Sequence, residues 1–249
     1  LLAVGLLVGG CGAGAGGAGA GAGGPGPGDR VPAQTAQSGR PGGFGSQPPL
    51  STGPSPVAGP SSARTGSPAG PTLTGWTVTV YYTAVERFHT GAGTRVTGCP
   101  GIDCAHGSAD LGSYPRSFVD AVKDEGTGRT AAGRYLNWSS DTGYWLDDAP
   151  RDTAGRPLRP FESAAADADV LRSGTRFAIV DCGTTEDGDP ISGPVCAKLR
   201  SVTWTVTDEF TAGLGGARHV DVYIGEETGP DFTDTAWYTT LVRASLRTG

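Results

Sequence analysis

Near the C-terminus the chain reads Trp204-Thr205-Val206-Thr207-Asp208-Glu209, then a Gly-rich run, then Arg218-His219-Val220-Asp221-Val222-Tyr223-Ile224-Gly225. In the second segment Val220, Val222 and Ile224 alternate with His219, Asp221 and Tyr223, the period of a half-buried β-strand. The aspartate falls on the face opposite the Val/Ile row, away from the main core. Aspartate is depleted in strands. A carboxyl fixed there on a rigid element suits proton transfer in a cleft, whereas an ordinary solvated strand face is the plainer reading.

Working outward, further strands are predicted at Trp76–Tyr82, Arg134–Trp138, Thr175–Val180, Ser201–Val206 and Trp237–Leu246, with Gly-, Pro- and Asp-rich turns between them. One helix is predicted, over Tyr114–Lys123: Ser113 precedes it as a cap, Pro115 suits its first turn, Phe118, Val119 and Val122 form its apolar stripe, and Gly126 ends it. Many strands and few helices predict a mainly β domain closed as a small barrel.

The first residues read differently. Leu1 to Val8 are almost wholly apolar and too few to span a bilayer, and Val8-Gly9-Gly10-Cys11 resembles a bacterial lipobox. Residues 1–11 are therefore expected to be the end of a secretory signal with Cys11 as the lipidation site, which would anchor the protein at a membrane without spanning it. Residues 12–75 are dominated by Gly, Ala, Pro, Ser and Thr, with Phe44 their only aromatic. Such a composition cannot bury enough apolar surface to offset chain entropy, and a disordered tether is expected. Residues 76–249 hold all five Trp and all seven Tyr and suffice for one domain.

The chain carries a net charge of −6, and without the tether's three arginines and one aspartate the domain stands at about −8. An acidic domain lacks the basic footprint of a nucleic-acid binder. Beyond Cys11 there are four cysteines, Cys99, Cys104, Cys182 and Cys196, which in an exported domain read as two disulfides. Three pairings are open, and proximity favours Cys99 with Cys104 and Cys182 with Cys196. A zinc site of Cys99, Cys104 and His106 matches ligand spacing poorly. Thr184 to Asp189 lacks the ligand series of a calcium loop, so no metal and no cofactor are expected.

Three short motifs in order carry a resemblance. Asp167 leads through Gly174-Thr175 into a strand; Asp208 follows a strand and precedes a Gly-rich turn; Asp221 lies in a His-x-Asp-x-Tyr-x-Gly strand. In this the region from Asp167 to Leu246 resembles the three-aspartate (3D) domain, a six-stranded double-psi β-barrel that is also found in membrane-bound lytic transglycosylase A. Trp76 to Thr83 is similar to the family's opening strand. Residues 84–166 have no counterpart and read as a loop and helix insertion. The Gly-rich turn before Arg218 lacks the lysine usual in the family.

The resemblance implies an extracytoplasmic cell-envelope lipoprotein whose partner is the glycan strand of peptidoglycan; a monomer is expected. It implies lytic transglycosylation with Asp221 as acid and then base, assisted by Asp208, and with Asp167, Arg218, His219 and Tyr223 as candidate substrate contacts. Trp204 and Trp237 are further candidates for stacking on sugar rings, and Glu125 is a second candidate acid on the insertion, set against a solvated turn. The alternative is a non-catalytic glycan-binding or expansin-like module.

Overall fold

The Thr/Val alternation at Trp76 continues in both directions as one long strand, β1 (Thr72–Val85), the spine of the molecule. The computed structural model describes residues 68–210 and 215–249; the expected lipobox at Cys11 and nearly all of the tether lie outside them. After β1 come β2 (Gly93–Gly98), β3 (Ala109–Pro115), α1 (Arg116–Glu125), β4 (Thr127–Arg129), β5 (Tyr135–Ser139), β6 (Gly143–Asp147) and β7 (Ser163–Ala165). There follow β8 (Arg176–Asp181), α2 (Gly193–Arg200), β9 (Trp204–Asp208), β10 (His219–Glu226) and β11 (Leu241–Thr248). Among the described residues no helix is long and apolar enough to cross a membrane.

Six of these strands close a ring in the order β1-β10-β7-β9-β8-β11 and back to β1. β1 runs parallel to β10, and β7 parallel to β9; the other four pairings are antiparallel. Exchanging the first three barrel strands in chain order with the last three maps the ring onto itself and one parallel pair onto the other. This internal two-fold connectivity is that of the double-psi barrel.

The interior is filled by the inward row of each strand. On β1 these are Trp76, Val78, Val80, Tyr82 and Ala84; on β10 they are Val220, Val222 and Ile224, joined by Phe177, Ile179, Trp204, Leu241 and Leu246. The β1–β10 register sets Thr77 beside His219, Thr79 beside Asp221 and Tyr81 beside Tyr223, so these pairs share the outer face. There Tyr81, Tyr223 and Leu158 form a second, small apolar cluster. Closure of the ring leaves no unpaired edge among its strands.

The region between β1 and β7 is a partner layer rather than a loop. β4 pairs in parallel with the end of β1 at Ala84 and Val85, and β5 and β6 extend the sheet from it, while β2 and β3 form a separate hairpin. α1 lays Phe118, Val119 and Val122 into this layer. A side chain at Gly128 would collide with Phe118 and Val122, so this glycine lets helix and strand approach. The Glu227 carboxylate, just past β10, accepts from the Val85 N–H and meets His89 Nε2 at 2.7 Å, tying the layer to the barrel. Cys99 is bonded to Cys104, and Cys182 to Cys196, which clasps α2 against β8.

Several boundaries differ from the sequence reading. α1 starts at Arg116 because Tyr114 and Pro115 finish β3 opposite Thr94 and Gly93, and no side chain caps it. β9 starts at Trp204, since α2 occupies the residues up to Arg200 and Ser201 caps it. α2 carries no helix signal in the sequence: Gly193-Pro194 looks like a turn but opens a short helix with proline in its first turn. β11 begins at Leu241, after a 3-10 turn at Phe232–Asp234. β7, only Ser-Ala-Ala, is a barrel strand, so the region outside the barrel ends before Ser163.

Candidate active site

Where the partner layer meets the outer face of the barrel there is a cleft of about 500 Å³. The barrel side contributes Tyr81, Ala165, Asp208 and Asp221; the other side contributes Lys123, Asp124, Glu125, Trp138, Arg151 and Thr153, among others.

Asp221 reaches the cleft because strand alternation that sends Val220 and Val222 inward sends it outward, beside Thr79 of β1 and Ala165 of β7. Its Oδ1 is buried and has no hydrogen-bond partner. Burial is the main cause that pushes its pKa up to about 7; the Thr79 hydroxyl and the Val222 N–H work against the shift, and the charge of Asp208 adds to it. Asp208 ends β9. Its Oδ1 accepts from Thr153 N–H at 2.9 Å, Thr153 Oγ1 at 3.0 Å and Glu209 N–H at 2.9 Å, and its Oδ2 from the Tyr81 hydroxyl at 3.4 Å. Burial again dominates and lifts it to about 6, the Thr153 and Glu209 donors opposing and Asp152 assisting.

Glu125 is no solvated turn. It ends α1 inside the cleft, accepting from Tyr82 N–H at 3.2 Å and the Tyr238 hydroxyl at 3.4 Å. Burial, and next the charge of Asp221, hold its pKa well above the usual carboxyl value. The ion pairs of the described residues all use other carboxylates, so no arginine or lysine salt bridge neutralises Asp208, Asp221 or Glu125.

The remaining residues singled out from the sequence fall in different places. His219 lies two residues before Asp221 on the same strand face, its Nε2 2.9 Å from Thr79 Oγ1 and its ring 4.6 Å from that of Phe210, which lines the cleft. Tyr223, a candidate sugar contact, is covered on the outer face of the barrel: it is 1 % exposed, its hydroxyl 2.6 Å from Thr83 Oγ1 and its ring against Tyr81. Asp167 is not on the cleft wall; its Oδ2 accepts from Gly216 N–H at 2.9 Å and fixes the turn ahead of β10. Arg218, also off the wall, reaches Thr74 O at 3.4 Å. Trp204 is buried, and Trp237 packs on Phe161. The tryptophan that faces the cleft is Trp138 of β5, with Lys123 Nζ 5.9 Å from its ring centroid. Trp138 and Thr153 carry no functional signal in the sequence, because what makes them candidates is the docking of the partner layer.

No family model and no curated protein sequence matches the chain. Among solved structures the chain is similar to MltA from Escherichia coli, at 14% identity over 70% of this chain and 71% of that one with a TM-score of 0.40. It is also similar to a membrane-bound lytic murein transglycosylase from Agrobacterium tumefaciens, at 13% identity over 70% of this chain and 73% of that one with a TM-score of 0.43. E. coli MltA with bound chitohexaose is 12% identical over 72% of this chain and 71% of that one, with a TM-score of 0.43.

Proposed function

We propose that this protein acts at the cell envelope on the glycan strands of peptidoglycan, cleaving them by lytic transglycosylation through Asp221. The observation that carries the reading is Asp221 itself: a partly buried carboxyl on a barrel strand, at the floor of an open cleft, with an unpartnered oxygen and a pKa of about 7. A carboxyl so poised holds its proton near neutrality and gives it up readily, as a general acid must.

In the reaction the glycosidic oxygen between N-acetylmuramic acid and N-acetylglucosamine takes a proton as its bond to C1 breaks. The muramoyl 6-hydroxyl oxygen bonds to C1, its proton returns to the carboxylate, and a 1,6-anhydro ring results. The attacking oxygen belongs to the substrate, so the chemistry needs no water placed opposite, unlike ordinary two-carboxylate hydrolysis. Asp208, held by Thr153 and Tyr81, supports the reading as a neighbouring charge that favours the protonated form of Asp221. The two disulfides fit an extracytoplasmic location, and a lipid on Cys11 would hold the domain near its polymer.

Digestion of purified sacculi followed by mass spectrometry tests the proposal. Wild type is expected to release 1,6-anhydromuramoyl ends, and Asp221→Asn to lose at least 100-fold of that rate while still binding sacculi. Binding without anhydro ends in either protein would instead identify a glycan-binding module.

A further inference from the structure

Among the ionisable groups that the partner layer brings to the cleft is one buried carboxyl, which the three-aspartate pattern does not contain and the single-carboxyl chemistry does not use. Glu125 closes α1, where Gly126 at φ 82° donates its N–H to Val122 O and stops the helix. The Trp138 N–H donates to Gly126 O at 2.8 Å, fastening that end to β5. With Tyr82 N–H on one carboxyl oxygen and the Tyr238 hydroxyl on the other, the side chain is held from two elements.

β1 measures the separation. Thr79 is the register partner of Asp221, and Tyr82, three residues on, holds Glu125. At a rise of about 3.3 Å per residue the two attachment points lie about 10 Å apart along the strand, and both carboxyls line the same cleft. The other charged and titratable groups facing them are Tyr81 and Tyr82 on β1, Tyr238 ahead of β11, Asp124 and Lys123 on α1, Asp141 and Arg151 either side of β6, and Asp208 and Glu209 at the end of β9. Burial raises both acids, and the charge of Asp221 raises Glu125 further, so an ionised Asp221 favours a Glu125 that keeps its proton.

We propose that Glu125 is a second catalytic carboxyl of this cleft, the proton donor, and that it divides with Asp221 the work assigned above to Asp221 alone; the inference rests on the glycan-cleaving reading. The Glu125 carboxyl gives its proton to the glycosidic oxygen as the C1–O bond breaks. The muramoyl 6-oxygen bonds to C1, and its hydroxyl proton passes to the Asp221 carboxylate. Afterwards Asp221 releases that proton to water and Glu125 takes one back, so nothing is consumed.

The test uses the full chain on sacculi, reading initial rates of anhydro-end formation from pH 4 to pH 10. Glu125→Gln is expected to lower kcat at least 100-fold with KM within threefold, Glu125→Asp to recover at least tenfold of that loss, and Asp120→Asn, on the exposed side of α1, to match wild type. A Glu125→Gln rate within threefold of wild type overturns the proposal. Should that variant fail to fold, the wild-type profile decides: a bell, with a base limb and an acid limb, supports two carboxyls, and a single fall at high pH overturns them. Carboxyl-carbon NMR titration separates this inference from the reaction itself. In a chain that forms no anhydro ends, coupled two-step curves for Glu125 and Asp221 keep the acid–base pair and reject the transglycosylase reading, whereas independent one-step curves reject the pair.

Discussion

Asp221 owes its properties to a conflict between strand geometry and solvation. The alternation that buries Val220 and Val222 fixes the aspartate at the cleft floor, where ionisation is opposed by burial more than it is helped by Thr79. Its folded pKa of about 7 lies above the unfolded value of about 4, so the stability it contributes is complete below pH 4 and is lost as pH rises through 7. Asp221→Asn stays neutral throughout. Urea unfolding is therefore expected to show the variant gaining on wild type between pH 4 and pH 8, by about 1–2 kcal/mol at the upper end once partial exposure is allowed for. A gap independent of pH would show that Asp221 is not held in this state. At this scale the sequence was informative where strand alternation alone placed a side chain, as for Asp221 and His219. It misled for Tyr223, which shares their face but is covered by Tyr81 and Leu158, a covering that only tertiary structure supplies.

Among the elements, α2 depends most on a covalent partner. It is eight residues long, begins with Gly-Pro, and has only Val195 and Leu199 buried, so its own propensity contributes little. The Cys182–Cys196 bond closes a 14-residue separation and holds the helix against β8. Replacing both cysteines by serine is expected to lower stability by about 3 kcal/mol in thermal or denaturant unfolding. The cleft lies elsewhere, and anhydro-end formation at 25 °C should remain within twofold of wild type. The same weakness explains why α2 was illegible: without its clasp it reads as a turn. β7 escaped for a related reason, because Ser-Ala-Ala has no alternation and becomes a strand only by inserting between β9 and β10. The long strands with Val, Ile and Thr periodicity were legible, as was the order of the three aspartates.

For the whole molecule, the proposed chemistry joins an acidic domain, an expected anchor at Cys11 and a long Gly/Ala/Pro-rich run. If Cys11 carries lipid, the wild-type protein partitions into the detergent phase and Cys11→Ser into the aqueous phase; equal partitioning would remove the anchor. Between them, the barrel and the partner layer make both walls of the cleft, and β1 belongs to both: it pairs with β10 and β11 in the ring and with β4 in the layer. One unbroken strand thus runs beneath both Asp221 and Glu125. There is no linker at that seam for a hinge to use, so on the proposed reading the two carboxyls would keep a fixed spacing. On that reading, the cleft would select its polymer by width rather than by closure.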